Sequence, residues 1–317
     1  MTSFILFWSL MVTILMGIST SSFFSLWICL EINMMMFIPL MNSKNLLASN
    51  SIMFYFITQS LASTLFIFSF FINLIYPFMD LINNSLMASA ILMKLGAAPF
   101  HIWFPEVSEG LKYKPLLILM SIQKIIPLFI LTLMNNFILL LAVILSAMVG
   151  SFGGWSQNSI RKILAFSSIT HMAWMISLII SASNWWIIYF IIYSLILITL
   201  MYFFIKVKIS FLSQTNFLNK IHLKILFILT LMSLGGLPPM LGFFIKLISI
   251  KMILITIPMI LMFLIPSSLL NLFFYFRVMY PFLMKMTLKN YLNLKSKKIS
   301  TMVLIHCSSL FLILPML

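Results

Sequence analysis

The chain has 317 residues, 63% of them hydrophobic and 7% charged, and its 19 Lys and Arg against 4 Asp and Glu give a formal net charge of +15. That composition, with a mean hydropathy of +1.19, excludes a soluble globular domain. A spanning helix needs about 20 apolar residues, and read by that rule the sequence predicts about eleven. The expected fold is therefore an all-α polytopic membrane protein, one transmembrane domain over residues 1–317. Membrane β-strands would be shorter and would alternate apolar with polar residues; these runs do not alternate.

The first predicted span, 3–19, follows Thr2 and Ser3 directly, with no basic leader and no Arg-rich presequence, so no cleavable signal is expected. The second, 23–41, encloses Glu31 in Leu30-Glu31-Ile32-Asn33. A charge in hydrocarbon costs roughly 3 kcal/mol or more, so it is usually there for a task. A Glu stem is too short to reach an interface from mid-span. Glu31 thus either titrates beside a nearby ammonium or packs as a neutral, hydrogen-bonded side chain.

The third predicted span is 52–76 and the fourth 84–104. The fourth carries Lys94 in the broken stretch Lys94-Leu95-Gly96-Ala97-Ala98-Pro99-Phe100, followed by His101. Proline removes an N–H and clashes with the carbonyl four residues back, so the helix must kink or unwind there. Lys94 is the natural partner of Glu31, either as a proton carrier or as a static partner that fixes register. His101 reads as structural or gating. The fifth span, 114–133, holds Lys124 in Gln123-Lys124-Ile125-Ile126-Pro127, where Pro127 frees a backbone carbonyl able to hold water.

Runs at 137–154, 160–181 and 185–208 follow. In the second of these, His171 closes the hydroxyl-rich turn Ser167-Ser168-Ile169-Thr170, which suits a wet path between lysines as well as a hydrogen-bonded core. The ninth span, 223–250, is broken at Leu234-Gly235-Gly236-Leu237-Pro238-Pro239 and continues through Gly242 and Phe243 to Lys246. Lys246 lies nearer a span end, where its stem could also snorkel to the interface. The last two runs are 253–280 and 299–317. Unwound backbone survives in a bilayer only against protein or water. Two Gly/Pro-interrupted segments, broken at Gly96 and Pro99 and at Gly235, Gly236, Pro238 and Pro239, therefore point to an inverted repeat and its ion path.

With the spans taken in order, loops on the N-terminal side collect Lys44, Lys112, Lys114, Arg161, Lys162, Lys206, Lys208, Lys220, Lys224, Lys285, Lys289, Lys295, Lys297 and Lys298. The opposite side holds Lys251 and Asp80. The positive-inside rule reads the first side as cytoplasm or its organellar equivalent. The basic excess is topological, and no nucleic-acid partner is expected. Abundant Ile, Leu, Phe, Met, Asn and Lys with scarce Ala, Gly and Arg fit an AT-rich organellar genome. Cys29 and Cys307 give neither a disulfide framework nor a metal spacing. Without a phosphate loop, a Cys or His cluster, or a Ser/His/Asp arrangement, no redox centre, metal or catalytic site of its own is expected. Trp103, Trp185 and Trp186 near span ends fit interfacial belts.

Five motifs in order carry a resemblance. They are Leu30-Glu31-Ile32-Asn33 with Phe37-Ile38-Pro39-Leu40; Lys94 through Pro105 with Glu109-Gly110; Gln123-Lys124-Ile125 with Pro127; Arg161-Lys162 with Ala165 to Ile169 and His171; and Ser233 to Pro239 with Gly242-Phe243. Together they resemble the second-subunit family of animal mitochondrial NADH–ubiquinone oxidoreductase, antiporter-like membrane subunits of respiratory complex I. The resemblance implies a place in the proton-pumping arm of the mitochondrial inner membrane, with the N-terminus in the matrix and other membrane-arm subunits and phospholipids as partners. It implies that flavin, iron–sulfur clusters and ubiquinone belong to other subunits. It makes Glu31 and Lys94 a coupling ion pair, Lys124 the central relay lysine and Lys246 the terminal one. Ile122, Ile245 and Leu247 stand where this family often has Trp, Pro and Trp. Two other readings fit the buried charges: a cation/proton antiporter subunit without redox coupling, and a structural subunit whose charges lock helices together. A quinone-binding enzyme fits least.

Overall fold

The computed structural model describes residues 2–286 apart from 44, 77–79, 135–136, 208–209 and 212–220. The span expected at 299–317, Cys307, His306 and Lys44, Lys208, Lys220, Lys289, Lys295, Lys297 and Lys298 lie outside the described residues. The described chain is helical: α1 (Thr2–Ser19), α2 (Phe23–Met41), α3 (Leu46–Ile75), α4 (Asp80–Leu95), α5 (Trp103–Gly110), α6 (Tyr113–Met120), α7 (Ile125–Thr132), α8 (Phe137–Trp155), α9 (Ile160–Ile180), α10 (Trp185–Val207), α11 (Ile221–Gly235), α12 (Leu241–Thr256) and α13 (Leu261–Met286). Among the described residues seven helical segments are long and apolar enough to cross a bilayer. The predicted spans before residue 251 each fall on one helix or on a broken pair, whereas the run 253–280 begins in the last turn of α12 and crosses a 3₁₀ turn at Pro258–Ile260 into α13.

The helix α9 is the axis of the bundle. Within its apolar window 94% of residues are buried, against 33% for α2. It packs on α5, α7, α8, α10, α12 and α13. Its closest neighbour, α8, approaches across small residues. A Cβ at Gly150 would strike Thr170 Cγ2 and the Phe166 carbonyl oxygen. Close backbone approach of this kind holds membrane helices together, since lipid tails supply no hydrophobic drive between them.

Both predicted breaks are present, and their backbones match. Gly96 has φ +67° and Gly236 φ +77°, a region open to Gly at little steric cost. Ala97 N–H donates to Leu92 O, and Leu237 N–H donates to Met232 O. Each is the six-to-one bond of a Schellman cap. The first helix stops at Leu95 and the second at Gly235, and prolines follow at Pro99, Pro238 and Pro239. The Ala98–Pro99 bond is cis.

Three expectations need correction. A third helix is interrupted. The run predicted at 114–133 divides into α6 and α7 around a 3₁₀ turn at Ile122–Lys124. Pro127 has no N–H to give the Gln123 carbonyl, so the α-helical ladder lapses there. Trp103 is no interfacial residue. It is 7% exposed, and its Nε1–H donates at 3.0 Å to Met93 O, which also accepts the Gly96 N–H at 3.2 Å in the cap of α4. Lys224, expected in a loop, lies buried within α11.

Candidate functional site

Lys94 closes the last turn of α4 and is 8% exposed. Its ammonium belongs to the carbonyl end of a helix, where the macrodipole favours a cation. Gln59 Nε2 on α3 donates to the Lys94 carbonyl oxygen at 3.4 Å. Glu31 is partly buried on α2. Among the described residues the ion pairs within 4 Å are Lys162 with Glu106 at 3.5 Å and with Glu109 at 2.7 Å, so Glu31 and Lys94 do not touch.

Lys94 and Lys124 line one internal cavity, together with Asn33, Tyr55, Gln59 and Gln123. It leaves about 20 Å³ for water centres, more than the ~10–15 Å³ one water requires. Gln123 Nε2 donates to Asn33 Oδ1 at 3.1 Å, tying the third break to the helix of Glu31. The Lys124 side chain is buried, and its Nζ has no hydrogen-bond partner. It sits 4.8 Å above the centroid of the Phe104 ring, a cation–π contact. Gly96 makes room for that ring: a Cβ there would stand 3.0 Å from Phe104 Cβ.

His171 lies buried on α9. Its Nδ1 is 2.9 Å from Tyr189 Oη, and its Nε2 is buried with no partner. The surrounding groups are polar. Tyr193 lies 4.8 Å from the His171 ring by centroids and its hydroxyl is beside Ser168. The Tyr275 hydroxyl is beside Ser167, and Asn271 Nδ2 donates to Thr170 Oγ1 at 2.5 Å. Lys246 does not snorkel. It is 7% exposed, and Nζ donates to Gly235 O at 2.7 Å. A Cβ at Gly236 would come within 2.9 Å of Lys246 Cδ. The carbonyl end of α11 thus holds Lys246, as the end of α4 carries Lys94.

The structure brings Lys94 and Lys124 to one cavity; His171 joins Tyr189, Lys246 joins the Gly235 carbonyl, and Glu31 is partly buried on α2 apart from that cavity's lining. His101 belongs to the first break, with Nδ1 3.2 Å from Pro99 O. The sequence reading missed Asn33, Tyr55, Gln59, Gln123, Tyr189, Tyr193, Asn271 and Tyr275. A signal existed for half of them. Tyr189 with Tyr193 and Asn271 with Tyr275 are polar pairs at i, i+4 on otherwise apolar helices, a spacing that puts both members on one face.

A family profile described as NADH:quinone oxidoreductase/Mrp antiporter, TM, matches residues 20–273. NADH-ubiquinone oxidoreductase chain 2 of Anopheles gambiae is 40% identical over 311 residues, covering 90% of this chain and 89% of its own. The Rhipicephalus sanguineus protein of the same name is 36% identical over 316 residues, with 96% and 99% covered. Among solved structures, a chain of respiratory complex I from Thermus thermophilus superposes with a TM-score of 0.78 at 19% identity, over 99% of this chain and 77% of that one. This last likeness establishes the antiporter-like fold.

Proposed function

The chain belongs to the NADH-ubiquinone oxidoreductase chain 2 family, and from that premise we propose that this proton-translocating subunit of mitochondrial complex I moves protons along Glu31, Lys94, Lys124, His171 and Lys246. One observation carries the relay. The Lys124 amine is buried, makes no hydrogen bond, and shares a water-sized cavity with Lys94. A buried amine kept for structure has a partner; this one joins neither a hydrogen bond nor an ion pair among the described residues.

The steps follow from electrostatics. A change that draws the Glu31 carboxylate away from Lys94 removes the attraction that favours the ammonium. Lys94 then hands a proton through cavity water to Lys124. The new charge on Lys124 faces His171, whose free Nε2 accepts while Nδ1 stays with Tyr189. Lys246 receives the proton next, its ammonium held by the Gly235 carbonyl. Repulsion drives the handover: two like charges about 10 Å apart at an effective dielectric of about 20 repel by roughly 2 kcal/mol.

In this reading the chain has no redox centre or catalytic site of its own. The support is its sequence, which offers no Cys or His cluster and no cofactor motif. Flavin, iron–sulfur clusters and ubiquinone are assigned to other subunits of the complex. Residues 1–317 act as one domain among other membrane-arm subunits and phospholipids, with the basic loops and the N-terminus in the matrix. Neutralising the first pair tests the relay. Glu31→Gln and Lys94→Met complexes, reconstituted in proteoliposomes, are expected to move fewer protons per electron than the unsubstituted complex. Normal stoichiometry in both would overturn it.

A further inference from the structure

We propose a binding site for an anionic phospholipid in a groove of about 720 Å³ at one end of the bundle, separate from the proton path and independent of it. The groove is built where five helices start or stop. Phe4 and Phe7 come from the start of α1, Leu40 from the end of α2, Ile118 from the second turn of α6, and Phe204 from the end of α10. All lie within about two helical turns, roughly 11 Å, of a helix end. That is the depth at which acyl chains meet headgroups in a bilayer.

The same groove is lined by Lys112, Lys114 and Arg161. Their neighbour Lys162 is neutralised by Glu106 and Glu109. Among the described residues no carboxylate lies within 4 Å of Lys112, Lys114 or Arg161. Arg161 is fixed in place. Its Nη1 donates to Glu109 O at 2.7 Å, and its guanidinium lies 5.1 Å from the centroid of the Tyr113 ring. Its Nε remains buried with no hydrogen-bond partner. Tyr113 stacks on Phe204 at 5.2 Å and 15°, which makes a rigid apolar floor under the cations. The first N–H groups of α6 open at the same place, with no side-chain cap, and helix amino ends favour phosphate.

The combination selects its occupant. An apolar floor takes an acyl chain, and three cations without carboxylates take a phosphate that carries net negative charge. A zwitterionic lipid would bring its own ammonium among them. An apolar helix of a neighbouring subunit would leave Lys112 and Lys114 unmatched.

The test uses the intact complex, delipidated and returned to vesicles of phosphatidylcholine doped with photoactivatable phosphatidylglycerol or with photoactivatable phosphatidylcholine of the same chains. Mass spectrometry then locates the adducts. Labelling of residues 113–118 and 204–205 is expected to be roughly tenfold stronger with the anionic probe, and the Lys112→Gln/Lys114→Gln complex is expected to lose that preference. Equal labelling by both lipids would overturn the proposal, on the unsubstituted complex alone. So would displacement of the probe by millimolar inorganic phosphate, which marks a bare anion site, or protection of the groove by a helix of another subunit.

Discussion

Replacing Lys124 with Met is expected to leave the complex assembled and to remove most of its pumping. The Lys124 amine is buried. It makes no hydrogen bond and joins no ion pair among the described residues, so its loss strands no partner. Met has nearly the same length, and its thioether packs well over an aromatic ring, here Phe104. Removing an unpaired buried charge also removes a desolvation cost. The fold should therefore be as stable as before. Proton transfer is another matter. Taking away a positioned proton-transfer group ordinarily costs about a hundredfold or more in rate. Native gels report assembly, and acidification per electron in proteoliposomes reports pumping. A subunit whose charges only lock helices would behave in the opposite way, losing assembly and keeping its proton-to-electron ratio.

The second large effect is structural. Gly242 lies in the first turn of α12, against the end of α11. A Cβ at position 242 would fall on the Ser233 carbonyl oxygen, with Ser233 C 2.9 Å away. Both atoms are backbone, so no rotamer change relieves the overlap. The two limbs of the second broken helix must separate, and with them Lys246 from Gly235 O. Overpacking against side chains already costs about 1–3 kcal/mol; against backbone we expect the upper end or more. Gly242→Ala should sharply reduce assembled complex. Gly17→Ala is the control, because a Cβ there meets Ile126 at an ordinary 3.4 Å, and it should assemble within about 0.5 kcal/mol of normal stability. Equal assembly of the two variants would contradict this account of the break.

Much of the architecture could be read from the residues because the relevant physics is local. Gly96 with Pro99, and Gly235, Gly236, Pro238 and Pro239, announce their breaks through backbone conformations that other residues avoid. Lys94, Lys124 and Lys246 stand out because a charge in an apolar run is costly. What stayed hidden depends on which helix faces which. Pro127 gave notice of a free carbonyl, but the 3₁₀ turn at Ile122–Lys124 also carries the bond from Gln123 to Asn33, 90 residues away in the chain. Trp103 looked interfacial by position; its indole N–H instead joins the Gly96 N–H on the carbonyl of Met93 across the break. Glu31 and Lys94 were natural partners by charge, yet the packing of α2, α3 and α4 keeps them from contact. The phenols of Tyr189, Tyr193 and Tyr275 were lost among ordinary aromatics. Only the fold shows that Tyr189 and Tyr193 flank His171.

The hydration of the cavity between Lys94 and Lys124 can be seen directly. A map of the whole complex at a resolution that shows internal water should contain density there, within hydrogen-bonding reach of both amines. It should also show solvent or hydroxyls leading from Lys124 to the Nε2 face of His171. A dry cavity closed by hydrocarbon between the two lysines would contradict proton handover along this row.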